Sequence, residues 1–205
     1  MEFAYPGGPQ LMAGLDLTVP RGTSAAVMAP SGVGKSTLLG VLGGLLRPQG
    51  GVVGIGVRGE SEPAAPVAVA WVFQEMLLVG RRTVVDNVTI AAMPHGHKRR
   101  VAEELAAQAL SRFGVGELAG RLVNSLSGGQ RQRVALARAA VADPQVVLAD
   151  EPTANLDQAN AASVARELVT GFPMASVVIA THDPMVAGKA SVVYYLRAGR
   201  LEMAR

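Results

Sequence analysis

Ala29-Pro30-Ser31-Gly32-Val33-Gly34-Lys35-Ser36-Thr37 follows the apolar run Ser24 to Met28 and opens a stretch, Lys35 to Leu46, with apolar residues at Leu38, Leu39, Val41, Leu42, Leu45 and Leu46. That pattern predicts a short strand, a small-residue loop and a helix buried on most sides. Such a junction aims a row of backbone N–H groups, and the positive end of a helix dipole, at one point that favours an anion. Lys35 adds a mobile charge for outer phosphates, and Ser36 offers a hydroxyl to a magnesium ion. The stretch reads as a P-loop with one departure, because Ala29 stands where the nucleotide-binding pattern has its first glycine. A positive φ there would cost an alanine about 1–2 kcal/mol, whereas a negative φ makes the exchange nearly free. Gly32 and Gly34, the glycines nearest the phosphates, are present, so a functional loop with a tighter entrance is expected.

Working outward, 205 residues allow one large α/β domain, or a core with a small inserted lobe, with a substantial interior. The chain is 49% hydrophobic but only 4% aromatic, which suits closely packed parallel strands and helices. No run approaches the ~18 apolar residues of a membrane span, the longest being Val67 to Phe73, so a soluble chain is expected. Met1 to Pro6 lacks the basic-then-apolar layout of a signal peptide, and the absence of cysteine removes any disulfide framework; both favour a cytoplasmic location. The net charge is only +3, and its one basic cluster, Lys98-Arg99-Arg100, reads as the solvated start of a helix, so no nucleic-acid partner is expected.

Phe3 and Tyr5 alternate before Pro6-Gly7-Gly8-Pro9, and Leu15, Leu17 and Val19 alternate before Pro20, which predicts two short antiparallel strands joined by a turn-rich loop. Tyr5 taken alone is an ordinary strand aromatic, although its ring also suits stacking on a purine. Arg47 to Gly51 stops the P-loop helix; Val52 to Val57 alternates with glycine, Arg58 to Pro66 reads as a loop, and Val67 to Val72 as a strand ending near Gln74. From Thr83 the character turns helical, with Val85 to Met93 capped by Thr83 to Asp86, then Lys98 to Phe113 with one face marked by Val101, Leu105, Ala109 and Leu110, then a short helix from Glu117 to Leu122. His95 and His97 have no carboxylate or cysteine beside them to complete a metal site.

Leu126-Ser127-Gly128-Gly129-Gln130 then opens a helix over Arg131 to Ala142, a second anion cradle of exposed N–H groups, a serine hydroxyl and a helix dipole. Two cradles in one small chain imply either two nucleotides or one nucleotide gripped between two copies. Gln145 to Glu151 is a buried strand ending in two carboxylates, of which Asp150 suits magnesium and Glu151 the proton of an attacking water. Asp157 caps a helix from Gln158 to Val169, and the strand Ala175 to Ala180 ends in Thr181-His182-Asp183, placing a histidine where it can donate to a γ-phosphate.

The order and spacing of these motifs, spanning nearly the whole chain, resemble the ATP-binding cassette ATPases, whose Leu-Ser-Gly-Gly-Gln signature sets them apart from other P-loop enzymes. The resemblance implies an α/β P-loop NTPase with a RecA-like core, an N-terminal antiparallel β subdomain and an inserted α-helical subdomain. It would form a single domain over 1–205, with 1–82 and 125–205 as nucleotide-binding core and 83–124 as helical lobe. It further implies that Tyr5 stacks on adenine, that Ser31, Gly32, Val33, Gly34, Lys35, Ser36 and Thr37 hold the phosphates and magnesium, and that Gln74 senses magnesium and the attacking water. Asp150 becomes the magnesium carboxylate, Glu151 the general base, His182 the γ-phosphate switch and Asp157 part of the loop after the catalytic strand. Ser127, Gly128, Gly129 and Gln130 would reach the ATP of a second subunit in a head-to-tail homodimer holding two ATP molecules, with a separate integral membrane permease as partner. The location implied is the inner face of the cell membrane, through that permease.

The short stretch from Gly50 to Ala70 and the little that follows His182 suggest a minimal cassette without a regulatory C-terminal domain, and Tyr5 to Gly8 with Phe73 to Leu78 look most like lipoprotein-release, macrolide-efflux and cell-division cassettes. Besides a transporter ATPase, three readings stay open: a mechanical signalling switch on a membrane partner, a soluble non-transport cassette, and a degenerate cassette that binds ATP without turnover.

Overall fold

The computed structural model describes residues 1–55, 62–63, 69–96 and 98–204. Its centre is a six-stranded sheet of β3 (Ser24–Met28), β6 (Val69–Val72), β7 (Val146–Asp150), β8 (Ser176–Thr181), β9 (Val192–Arg197) and β10 (Arg200–Met203), in the order β10-β9-β3-β8-β7-β6. All neighbours run parallel except β10, which returns from β9 through Ala198 and Gly199 at φ +45° and +74°, the pair of left-handed residues that a tight two-residue hairpin demands. The carboxyl ends of β3, β8, β7 and β6 therefore lie side by side, where ligands of open α/β sheets bind.

Both faces of this sheet are covered, so its strands are near-continuous apolar runs. Alternation divides them: Leu148, Val178 and Ala180 face one core with Val27, Leu38 and Leu39, while Val147, Ala149, Val177 and Ile179 face another with Val134, Leu136, Val164 and Leu168. The first core takes α1 (Lys35–Leu42) and the N-terminal β1 (Phe3–Ala4) and β2 (Gln10–Met12); the second takes α2 (Val84–Ala92), α3 (Arg99–Arg112), α4 (Gly128–Ala140) and α5 (Gln158–Thr170). The helix carrying the P-loop and the helix carrying the second cradle thus lie on opposite faces. Burying one such valine or leucine contributes about 1.5–3 kcal/mol.

Several expectations shift in detail. The partner of β1 is Gln10–Met12, not Leu15 to Val19. The latter keeps its in-out alternation, with Leu15 buried and Asp16 exposed, but runs as an extended segment tied by single bonds, such as the Ser176 hydroxyl donating to Val19 O at 2.9 Å. Helix α1 stops at Leu42 because Gly43 and Gly44 follow, the latter at φ +73°. On α3 the buried face is Ala102, Ala106, Ala109 and Leu110, while Val101 is 39% exposed. Small alanines let α3 approach α2 and α4 closely, and the larger valine turns outward. The expected helix from Glu117 to Leu122 is a short 3-10 turn at Gly116–Leu118. Arg99 and Arg100 pair with Glu103 and Glu104 along α3, at 2.8 and 3.5 Å, as solvated ion pairs do. The expected loop Arg58 to Pro66 and strand start at Val67, and the pair His95 and His97, fall in part or whole outside the described residues.

β4 (Gly54–Ile55) and β5 (Glu62–Pro63) pair as a small antiparallel ribbon. A last short helix, α6 (Pro184–Ala187), follows β8 and is capped by Asp183, whose side chain accepts from Met185 N–H at 2.8 Å.

Candidate active site

The P-loop turns on two left-handed glycines, Gly32 at φ +83° and Gly34 at φ +108°, conformations that a side chain at either position would strain. Gly34 is also the N-cap of α1 and leaves the helix start without a side-chain cap bond, so its N–H groups are open to an anion. Ala29 is not among the residues with positive φ; it is buried with Val27, Leu38 and Leu39, so the alanine carries no backbone strain. The departure from the glycine pattern is thereby explained: this position needs a small apolar residue and a carbonyl, and alanine supplies both.

That carbonyl has a partner. Lys35 is only 6% exposed, and its Nζ donates to Ala29 O at 2.7 Å and Pro30 O at 3.2 Å while lying 3.2 Å from Glu151 Oε1. Glu151 Oε1 also meets His182 Nδ1 at 3.0 Å, and His182 N–H donates to Glu151 Oε2 at 3.4 Å. Residues from the start of α1 and from just past the ends of β7 and β8 thus form one contiguous cluster. Burial pushes the Glu151 carboxyl toward protonation, but the His182 and Lys35 contacts outweigh it and hold the carboxyl below the usual range. Glu151 sits at φ +44°, a region that glutamate rarely adopts, fixed by its N–H donating to Ala180 O at 2.9 Å on the neighbouring strand. A cavity of about 290 Å³ opens beside it, lined by Glu151, His182, Asp183, Ala154 and Leu156 among others.

Asp150 precedes it at the end of β7, and Oδ1 is buried with no hydrogen-bond partner. An orphaned carboxylate oxygen at the end of β7 fits a hard divalent cation that takes one carboxylate and fills its remaining positions with phosphate and water, and Ser36, exposed at the start of α1, carries a hydroxyl of the kind such an ion accepts. Tyr5 is 47% exposed, edge-on to Phe3 at 5.1 Å, and its hydroxyl lies 3.4 Å from Thr37 Oγ1, so its ring borders the P-loop helix. Gln74 is exposed just past β6 and lines a separate cavity of about 510 Å³ with Leu77, Asn124, Gly128 and Arg131.

The second cradle is built differently. Ser127 caps α4 by accepting from Gln130 N–H at 3.3 Å, and Gln130 Oε1 accepts from Ser127 N–H at 3.0 Å, a reciprocal capping box. A Cβ on Gly129 would come 2.7 Å from Asn160 Oδ1, and one on Gly128 would come 3.2 Å from Leu156, so the glycines permit close packing against the start of α5. Asp157 caps that helix, accepting from Asn160 N–H at 3.0 Å and Nδ2 at 2.6 Å, and these bonds hold its carboxyl below the usual range. The structure therefore gathers Lys35, Glu151 and His182 directly, places Tyr5 and Thr37 together, and leaves Ser127, Gly128, Gly129 and Gln130 on the other face. Arg138, Asn87 and Asn160, which hold the loops around the site, were not singled out by sequence; the one signal for Arg138 was a cation inside the apolar run Val134 to Ala140.

Comparison with known proteins gives the family. The family described as ABC transporter matches residues 12–154. A lipoprotein-releasing system ATP-binding protein LolD of Granulibacter bethesdensis is 39% identical, the match covering 96% of this chain and 91% of that protein. A macrolide export ATP-binding/permease protein MacB of Rhodospirillum rubrum is also 39% identical over 91% of this chain, which spans only 30% of that longer protein. The dimeric post-hydrolysis structure of the ATP-binding cassette MJ0796, bound to ADP and Pi, superposes with a TM-score of 0.79 at 28% identity over 98% of this chain and 93% of that one. The fold and the P-loop cluster define an ATPase cassette. This chain belongs to the ABC transporter family.

Proposed function

We propose that this chain is the ATP-hydrolysing subunit of an ABC transporter, converting ATP and water to ADP and phosphate at a site shared by two head-to-tail copies and driving a membrane permease. The observation that carries the reading is the Lys35–Glu151–His182 cluster, joining the start of α1 to the carboxyl ends of β7 and β8, with the helix of the signature cradle on the opposite face of the same sheet. One cradle comes with a base and a lysine; the other comes with neither. A second copy supplies what each lacks.

On this reading Ser31, Gly32, Val33, Gly34, Ser36 and Thr37 bind the phosphates, Tyr5 stacks on the adenine, and Lys35 leaves the Ala29 and Pro30 carbonyls for the outer phosphates. That departure removes a cation from Glu151, whose proton affinity rises toward that of a working base for the attacking water. His182 releases Glu151 and donates to the γ-phosphate, and Gln74 orients the water. Ser36, Asp150 and Gln74 would hold the magnesium ion, whose chemistry is to neutralise charge developing on the phosphates. Ser127, Gly128, Gly129 and Gln130 close on the partner's ATP, and Asp157 lies in the loop that crosses beside them.

The residues 1–205 then act as one domain, with 83–124 as helical lobe on the core 1–82 and 125–205, supported by the apolar core that α2 and α3 share with α4 and α5. Leu77, Val79, Ile90, Met93 and Leu122 are all about half or more exposed around α2, an apolar surface suited to a permease and hence to a peripheral place on the inner membrane face. No described helix is long and apolar enough to cross a membrane itself. Relatives named for lipoprotein release and macrolide export make those the first substrates to test. The deciding experiment is Glu151→Gln: turnover falls about 10²–10⁴-fold while ATP drives a stable dimer, read by light scattering. A sample that stays single-chain in ATP and hydrolyses at wild-type rate refutes the reading.

A further inference from the structure

Arg138 lies near the end of α4 and takes no part in either cradle. Its Nη1 donates to Leu77 O at 2.8 Å and its Nη2 to Met76 O at 2.8 Å, two charged bonds from one planar fork to successive carbonyls. Burial lowers the proton affinity of this guanidinium, which nonetheless stays charged. Leu77 has φ +47°, a conformation leucine rarely takes, and its side chain is 62% exposed, so packing is not what holds it there. The far end of the segment is held from α2: Val79 N–H donates to Asn87 Oδ1 at 2.7 Å, and Asn87 Nδ2 donates to Val79 O at 3.1 Å and Thr83 O at 2.9 Å. Gln74 stands at the leading end of this held segment.

Resting on the function proposed above, we infer that Arg138 is a positioning residue that clamps the Gln74 loop to the helix bearing Ser127, so that one protomer's contact with its own ATP and its contact with the partner's ATP move as one body. Glycine takes a positive φ without strain, so Leu77→Gly keeps the loop on course when the clamp is gone. The steady-state ATPase of the full chain tests this. Arg138→Met lowers kcat about tenfold with KM for ATP changed by less than about twofold, since the P-loop is untouched. Measured against Leu77→Gly alone, the same substitution costs less than about threefold, and it adds nothing to Gln74→Ala. A residue serving only stability would lower Tm without this dependence on background. Arg138→Lys keeps the charge but cannot bridge both carbonyls, and an intermediate kcat is expected; it also serves should Arg138→Met not fold. Either variant at wild-type kcat, or an equal loss in both Leu77 backgrounds, overturns the clamp. Absent turnover in the wild type, or a Gln74→Ala variant as active as wild type, overturns the functional reading and the clamp with it.

Discussion

The two anion cradles of this chain share an architecture and differ in nearly everything that matters for chemistry. At the P-loop, α1 begins at a left-handed glycine with no side-chain cap, its N–H groups are open, and Lys35 is buried with its charge satisfied by Ala29 O, Pro30 O and Glu151. At the signature, α4 begins with a closed capping box in which Ser127 and Gln130 satisfy each other. The first cradle has no side chain to satisfy its leading N–H groups; the second satisfies one of its own through the Ser127 hydroxyl. On the proposed function, that difference suits one to grip a nucleotide early and the other to be added late, across a dimer interface.

The largest expected effect removes that lysine. Lys35→Ala deprives both the phosphates and Glu151 of their cation, so turnover should fall on the order of 10²–10³-fold with weaker ATP binding, both read by steady-state kinetics and nucleotide titration. Retention of wild-type ATP affinity would show that the open N–H groups suffice alone. Next comes the other cradle. Gly129→Ala drives a methyl against Asn160 Oδ1, and turnover should drop about tenfold while ATP affinity of the separate chain is kept. Asn160→Ala opens that space and should return much of the loss; if it does not, the glycine serves the phosphate rather than the packing.

Ala29→Gly sharpens the account of the P-loop entrance. Because Ala29 already has an unstrained backbone, glycine should change turnover by less than about twofold and lower unfolding stability by about 0.4–1 kcal/mol through the looser unfolded chain. A gain in activity would mean the loop wants a positive φ once nucleotide binds. The smallest effect is expected at Asp157. Its carboxyl is held below the ordinary range by Asn160, so its contribution to stability is present above about pH 4 and is lost as the pH falls through its lowered value. Asp157→Asn does not titrate there, and its denaturation midpoints should decline less steeply on acidification than those of the wild type.

Much of this was legible in the sequence because periodicity and turn chemistry act locally. The Gly32 and Gly34 turns, the Thr83 and Asp157 caps and the strand ending at Asp150 each announce themselves within a few residues. What stayed hidden depends on partners distant in the chain. Leu15, Leu17 and Val19 alternate as a strand would, yet among the described residues no neighbour offers them a ladder, and the pattern alone cannot show that. Val101 reads as core on α3 until Ala102 and Ala106 prove to be the close-packed face. Arg138 looks like one more polar helix position, since the carbonyls it serves lie far back in the sequence at Met76 and Leu77. Ala29 could not be judged without its φ.

The chain has a single tryptophan, and its position makes it useful. Trp71 pairs with Leu148 on β7, stacks on Phe73 at 5.2 Å with planes 6° apart, and lies so close to Gly43 that a Cβ there would fall 2.2 Å from the indole. It touches the end of the P-loop helix on one side and leads into the Gln74 loop on the other. The molecule thus has an optical gauge of its own: ultraviolet emission from one indole, with no dye attached, reports in real time whether events at the P-loop helix reach the loop proposed to meet the membrane partner.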